Sequence, residues 1–211
     1  MMRCFIGLPL PESYQQLLAQ FIQTWQPKLA AASAGGVSWT RPGNWHLTLK
    51  FLGELSEEQV TRLGDDLFQA TSISGAGEVL VVQGRGGGFF PDLRRPRILW
   101  VGLGKGAREV GHLAFRVENS CASMGFARDQ RPFLAHLTVA RIKRSAKTRG
   151  TLQPHACENI RHQPDWIEVL QALDSISWPE IVIDRMVLWE SRLTPEGPIY
   201  RPLKEWSLTG R

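Results

Sequence analysis

The sequence has few cysteines and no pattern in which they could form a structural framework. Its three cysteines, Cys4, Cys121 and Cys157, are widely spaced, odd in number and free of any Cys-x-x-Cys pair. This spacing argues against a disulfide scaffold and against a zinc knuckle. We therefore expect free thiols in a reducing compartment.

Long apolar runs are also absent. No run approaches the roughly 18 residues that a membrane span needs, and Pro9 interrupts the opening residues too early for the apolar core of a signal peptide. We therefore expect a cytoplasmic protein without membrane contact.

Charge of one sign is present only in moderate excess. The 211-residue chain carries a net charge of +5 at pH 7, with 43% hydrophobic and 21% charged residues. This composition is that of an ordinary globular protein and argues against disorder. A basic balance of this size favours a polyanionic partner such as RNA without requiring one.

A short sequence motif occurs twice, as His46-Leu47-Thr48-Leu49 and as His136-Leu137-Thr138-Val139. Alternate side chains of a strand share one face, so each motif would present an imidazole and a hydroxyl together while its apolar residues enter a core. The repetition at the same offset argues against accident. Two such strands could form one symmetric polar site.

The rest of the pattern predicts elements in the order βαββαβ, then βαβ and further strands. Strands are predicted over 3–8, 37–40, 45–53, 78–84, 97–103, 133–142, 181–191 and 200–206, and helices over 12–27, 57–72 and 107–124. Glycine-rich 84–88 is predicted to be a turn and 143–165 to be loop with some helix. One His-x-Thr strand in each half indicates an internal duplication, and we expect a single bilobed domain over 1–211 that is a monomer.

Paired histidines suit phosphodiester chemistry near neutral pH. With an ordinary pKa of about 6.5, one imidazole can act as base while the other acts as acid. The hydroxyls of Thr48 and Thr138 could each donate a hydrogen bond to a non-bridging phosphate oxygen. Taken singly, a strand histidine is more often structural, and a strand threonine is explained equally well by its β-branched side chain.

These residues resemble the 2H phosphoesterase superfamily, and within it the RNA 2',3'-cyclic phosphodiesterases historically called 2'-5' RNA ligases. The resemblance spans nearly the whole chain; its most specific part is the first motif with its extension Lys50-Phe51-Leu52-Gly53-Glu54. Further matching segments are Arg3-Cys4-Phe5-Ile6, Arg95-Pro96-Arg97-Ile98-Leu99-Trp100, and residues 188–206 with Ser191, Gly197 and Tyr200. Two departures are Ala135, where the family usually has proline, and the polar segment that follows Arg144.

The resemblance implies an α+β fold of two similar lobes, with antiparallel sheets, outer helices and a central cleft that holds one His-x-Thr motif from each lobe. It also implies His46 as proton donor, His136 as proton acceptor, Thr48 and Thr138 as phosphate-binding residues, and Arg141 as a nucleotide-binding residue. Strict alternation would place Arg141 on the face opposite His136, so a bulge or the strand end must intervene. The implied reaction opens a 2',3'-cyclic phosphate and leaves a 2'-phosphate.

Neither a metal nor another cofactor is indicated. Each motif histidine has a threonine companion instead of a carboxylate or cysteine, and the nearby pair His155 and Cys157 is a weak metal candidate. Lys50 shares the face of His46 by alternation and could meet phosphate, or it could be a solvated lysine at a strand edge.

Other interpretations remain open. A non-catalytic RNA-end-binding module would fit the basic cluster Lys143, Arg144, Lys147 and Arg149, which could equally be a solvated loop. True 2'-5' ligation, the reverse of phosphodiester opening, is a third interpretation, since one acid–base pair can catalyse both directions. Phe89, Phe90 and the arginines of 94–97 form a candidate RNA-facing loop. The expected partners are RNA with 2',3'-cyclic phosphate ends or small cyclic nucleotides, with no obligate protein partner.

Overall fold

A computed structural model of the chain describes residues 1–32, 36–71, 79–143, 165–195 and 197–208. Four helices lie within these ranges: α1 (Glu12–Ala32), α2 (Glu57–Thr71), α3 (Ala107–Ser123) and α4 (Trp166–Asp174). The strands are β1 (Met2–Pro9), β2 (Val37–Trp39), β3 (His46–Leu55), β4 (Leu80–Val82), β5 (Gly84–Phe90), β6 (Ile98–Leu103), β7 (His136–Ile142), β8 (Ile181–Ile183), β9 (Arg185–Thr194) and β10 (Gly197–Ser207). The predicted α+β class is confirmed, and no helix of the described ranges is long and apolar enough to cross a membrane.

The main sheet is antiparallel and consists of two similar halves. Its order is β10-β9-β1-β3-β7-β6-β5, with β2 added beside β7, and β4 pairs separately with β8. We call β1, β3, β9 and β10 the first lobe and β2, β5, β6 and β7 the second lobe. We relate β3 to β7 and β1 to β6 by a pseudo-two-fold axis through the centre of the sheet, because these strands hold equivalent places in its order.

The two halves of the chain are interlaced between the lobes. Strand β5 belongs to the first half of the sequence but pairs with β6 in the second lobe, whereas β9 belongs to the second half but pairs with β1 in the first lobe. Helix α1 packs on β2, and α3 packs on β3. Neither lobe is therefore built from one continuous stretch of sequence.

Local signals explain where several elements begin. At the start of α2, the Ser56 amide donates to Gln59 Oε1 at 2.9 Å and the Gln59 amide donates to Ser56 Oγ at 3.2 Å, which confirms the predicted capping box. Asp165 Oδ1 accepts from two amides in the first turn of α4, a helix that the sequence pattern did not identify.

The glycine-rich stretch 84–88 is part of strand β5, so the predicted turn was wrong. The glycines serve close packing: a Cβ on Gly84 would lie 2.7 Å from the Trp178 ring, and one on Gly87 would lie 2.7 Å from Leu173. Large side chains can therefore cover this strand where other residues would exclude them.

Candidate active site

The two motif strands meet at the centre of both motifs. Leu47 of β3 pairs with Leu137 of β7, and both side chains are fully buried on the helix-covered side of the sheet. The opposite side, which we call the open face, carries the histidine and threonine of each motif. Because the strands run antiparallel, this register brings His46 alongside Thr138 and His136 alongside Thr48.

Each motif histidine is held by the same backbone contact. His46 Nδ1 lies 2.7 Å from the carbonyl oxygen of Asn44, and His136 Nδ1 lies 2.8 Å from that of Leu134. A carbonyl oxygen can only accept, so Nδ1 carries a proton in both rings. In the neutral rings, both Nε2 atoms are therefore unprotonated and able to take a proton.

The two imidazoles differ in their surroundings. The His46 ring packs against Phe5 at 4.7 Å, Tyr200 at 5.3 Å and Trp189 at 5.5 Å between ring centres. Its Nε2 lies 3.0 Å from the Thr48 hydroxyl, which donates to it when the ring is neutral. The His136 ring meets Phe90 at 5.0 Å and Trp100 at 6.4 Å.

Burial among these aromatic side chains lowers the pKa of both imidazoles. The pKa of His46 falls to about 4, chiefly through desolvation, although its hydrogen bond to the Asn44 carbonyl opposes the shift and the charges of His136 and Arg141 add to it. Desolvation also lowers the pKa of His136, with a further contribution from Arg141. Arg141 thus lowers the pKa of both rings, and His136 lowers that of His46.

Arg141 reaches the open face because of a bulge in β7. Thr138 pairs with Trp100, and Ala140 pairs with Leu99, so Val139 is an extra residue on β7. Val139 and Ala140 are consecutive buried residues, after which Arg141 is exposed. Of the two expected causes, a bulge or the strand end, the structure shows a bulge.

An equivalent bulge in β3 turns Lys50 into the core. Thr48 pairs with Gly7 and Lys50 with Ile6, so Leu49 is the extra residue. The Lys50 side chain is 1% exposed, and its Nζ lies 2.7 Å from Glu118 Oε2 and 3.0 Å from the Ala127 carbonyl oxygen. Both interpretations of Lys50, a phosphate contact and a solvated strand-edge lysine, were wrong.

Two glycines allow indole rings to lie beside the motif histidines. A Cβ on Gly7 would come within 2.5 Å of the Leu47 carbonyl oxygen and 3.2 Å of the Trp189 ring. In the second lobe, a Cβ on Gly88 would overlap the Trp100 ring. In each lobe, a glycine on a strand other than the motif strand therefore leaves room for the tryptophan ring that lies close to the motif histidine.

The candidate RNA-facing loop is only partly as predicted. Phe89 is buried and packs against Trp166, so it belongs to the core, whereas Phe90 lies against His136. The exposed Arg94 and Arg95 follow Asp92, whose carboxylate accepts from both of their amides. Arg144, Lys147, Arg149, His155 and Cys157 lie outside the described residues.

Residues that sequence reasoning did not select complete the site. Asn44, Phe5 and Trp189 contact His46, and Thr40 bonds to the backbone of the second motif. Phe5, Trp189 and Thr40 reach the site through the pairing of strands distant in sequence, whereas Asn44 contacts His46 locally through a backbone oxygen that no side-chain pattern signals. Within the described ranges, no group of three or more histidine, cysteine, aspartate or glutamate residues could hold a metal ion.

Comparison with known proteins adds sequence relationships to this geometry. The family model for LigT-like phosphoesterases matches the chain twice, over residues 8–100 and 102–200. The chain belongs to the LigT-like phosphoesterase family. The two matches divide this phosphoesterase into the halves that the repeated motif predicts, and each half contains one His-x-Thr.

Curated relatives of this LigT-like phosphoesterase extend along most of its length. It is 33% identical to a protein of Aeropyrum pernix over 77% of its own chain and 81% of the relative, and 30% identical to a protein of Archaeoglobus fulgidus over 96% and 98%. Both are named RNA 2',3'-cyclic phosphodiesterase. The crystal structure of Escherichia coli LigT complexed with 3'-AMP shares the fold, with a TM-score of 0.66 at 24% identity over 99% and 98% of the two chains.

Proposed function

We propose that this protein hydrolyses 2',3'-cyclic phosphate ends of RNA to 2'-phosphates by acid–base catalysis with two histidines and without a metal. The observation that carries the proposal is the matched pair of imidazoles on one face, each with Nδ1 committed to a carbonyl oxygen. Nε2 is therefore the atom of each ring that can exchange a proton with the substrate or with water. The curated names of the relatives support the choice of substrate.

In the proposed reaction, His136 acts as base and His46 as acid. Nε2 of His136 takes a proton from a water molecule whose oxygen attacks phosphorus. As the new P–O bond forms, the bond from phosphorus to the 3' oxygen breaks, and Nε2 of His46 gives its proton to that oxygen. The product keeps the phosphate on the 2' oxygen, and proton exchange with solvent restores both rings.

The threonines and Arg141 would bind the anionic part of the substrate. Thr48 and Thr138 each lie two residues from a motif histidine on the open face, within a strand that fixes their backbones. Their hydroxyls can donate to the two non-bridging phosphate oxygens, where charge increases in the transition state. Arg141 supplies a positive charge that both histidines sense and would contact the nucleotide.

The substrate itself would help to protonate the acid. Burial lowers the pKa of both motif histidines in the free protein and so favours their neutral forms. A phosphodiester anion between the rings opposes this effect, since an adjacent negative charge favours the imidazolium form. Binding and protonation are therefore coupled in this mechanism.

The same groups could also catalyse ring opening by a 5' hydroxyl of RNA instead of water, in which the bond to the 3' oxygen breaks and a 2'-5' linkage forms. Water competes with this hydroxyl as the nucleophile, so hydrolysis is the proposed main reaction. A non-catalytic RNA-end-binding module would not require two imidazoles with matched tautomers.

The proposal is tested with a panel of 2',3'-cyclic and 3',5'-cyclic nucleotides and an oligoribonucleotide with a cyclic end. We expect turnover of the 2',3'-cyclic substrates, a 2'-phosphate product by ³¹P NMR, and full activity in excess EDTA. Binding without turnover would favour the binding module. Activity lost in EDTA and restored by one divalent ion would contradict the metal-free mechanism.

A further inference from the structure

The segment 40–44, which we call the strap, joins the two motifs directly. At one end, the Thr40 amide donates to the Val139 carbonyl oxygen and the Thr40 hydroxyl donates to that of Thr138, both at 2.9 Å. At the other end, the Asn44 carbonyl oxygen accepts from His46 Nδ1 at 2.7 Å. A segment of five residues thus connects the backbone of the second motif to the imidazole of the first.

The strap has a defined backbone shape. The Asn44 amide donates to the Arg41 carbonyl oxygen at 3.0 Å, and Gly43 has φ +84°, which with Pro42 before it forms a type II turn. The Gly43 amide also donates to Gln15 Oε1 at 3.0 Å. These bonds restrict the distance between its ends.

Asn44 attaches the strap to the first lobe as well. Its side-chain Nδ2 donates to the Pro198 carbonyl oxygen of β10 at 2.8 Å. Thr40 therefore bonds to the second lobe while Asn44 bonds to the first. A relative shift of the lobes would have to break one of these contacts or distort the turn.

A related connection occurs across the pseudo-two-fold axis. Lys50, beside the β3 bulge, donates to the Ala127 carbonyl oxygen, and its partner Glu118 accepts from the Asp129 amide at 3.1 Å. These contacts hold the segment that leads into His136. In both lobes, the segment before a motif histidine is therefore anchored on the strand of the other motif.

We propose that Thr40 and Asn44 are positioning residues that set the placement of His46 relative to His136 and Thr138. The inference depends on the proposed function only for its catalytic readout. Neither residue is required to touch substrate; Thr40 acts through the Thr138 backbone, and Asn44 acts through His46 Nδ1. Small misplacements of reacting groups reduce turnover strongly because catalysis requires a near-attack geometry.

The test compares Thr40→Val with Thr61→Val. Thr61 is exposed on α2, a helix that packs mainly on α3 and β10, and its hydroxyl likewise donates to a carbonyl oxygen, that of Glu57 at 3.0 Å. We expect Thr40→Val to lower kcat about tenfold or more with KM within about twofold, since a tenfold loss needs only a small rise of the barrier. Thr61→Val should leave both constants unchanged, and Thr40→Ser should restore most of kcat.

A second variant changes the strap without removing a hydrogen-bonding side chain. In Gly43→Ala the new Cβ would meet no atom within 4 Å, so its effect comes from the strain of φ +84° alone. We expect the same loss of kcat at nearly constant KM. Unchanged kcat in both Thr40→Val and Gly43→Ala, or a loss of thermal stability alone, would overturn the proposal.

A readout independent of turnover separates this inference from the proposed function. NMR titration of the His46 ring should show its pKa rising toward the ordinary value in Thr40→Val, because a loosened ring is less well buried. Thr61→Val should not change it. If the wild-type protein opens no cyclic phosphate, the proposed function fails, and this titration alone then decides whether the strap positions His46.

Discussion

Phe51 and Arg141 occupy equivalent positions in the two lobes, each five residues after a motif histidine and two residues after the extra residue of a bulge. The bulges at Leu49 and Val139 reverse the alternation in the same way, so both side chains follow two consecutive buried residues. One lobe thus presents an aromatic ring where the other presents a cation. This difference makes the open face asymmetric although the fold is symmetric.

Arg141 is expected to bind the anionic substrate and to depress both histidine pKa values. Replacing it by glutamine should raise KM about tenfold, which corresponds to the loss of a charged hydrogen bond. It should also raise the pKa of both motif histidines, because the nearby cation that lowers them is removed. Arg62→Gln on the exposed side of α2 is the control, and an unchanged KM in Arg141→Gln would contradict the role.

Phe51 is expected to stack against a base. Its side chain is 58% exposed on the side of His46, and base–aromatic stacking contributes about 1–3 kcal/mol per base. Phe51→Ala should therefore raise KM at least about fivefold with little change in kcat. Phe115, which is 65% exposed on α3, provides the matched control Phe115→Ala. Equal effects of the two variants would exclude a specific stacking role.

The pH profile of kcat/KM follows from the histidine pKa values. Turnover needs one imidazole protonated and the other neutral, and burial lowers the pKa of both, that of His46 to about 4. The optimum for a substrate without its own titration in this range should therefore lie between about pH 4 and 6.5. In Arg141→Gln the pH optimum should shift to a higher pH, because the cation that lowers both pKa values is removed. An optimum above pH 7 in the wild type would contradict these environments.

Lys50 is expected to stabilise the fold without contacting substrate. Lys50→Met leaves Glu118 without its close ion-pair partner and should lower the free energy of unfolding by about 3 kcal/mol. Lys105→Met breaks a pair with Glu180 whose side chains are about half exposed, and should cost at most about 1 kcal/mol. Urea unfolding measures both values. Similar values for the two variants would show that burial of the Lys50 pair is unimportant.

The sequence predicted the elements that depend on local pattern and failed where distant strands decide the outcome. The motif strands, the capping box of Ser56 and the burial of Leu47 and Leu137 could all be inferred from alternation and spacing. Lys50 was misplaced because its orientation depends on how β1 pairs with β3 at the bulge. The same kind of bulge brings Arg141 to the open face.

Two other features could not be predicted because they are set by tertiary contacts. Gly84–Gly88 has the composition of a turn, yet the rings of Trp100 and Trp178 require small residues beneath them in a strand. The link from Thr40 to the Thr138 backbone spans 98 residues and has no local signature. The candidate histidines were therefore predictable, whereas the groups that position them were not.

The most direct test of the account is the hydrolysis of a 2',3'-cyclic nucleotide by His46→Ala, His136→Ala and the wild-type protein in excess EDTA. Removing either the acid or the base should lower kcat by a factor of about 10²–10⁴. Circular dichroism should show that both variants remain folded. ³¹P NMR of the wild-type reaction should show a 2'-phosphate product. Near-normal rates in both folded variants would contradict catalysis by two histidines.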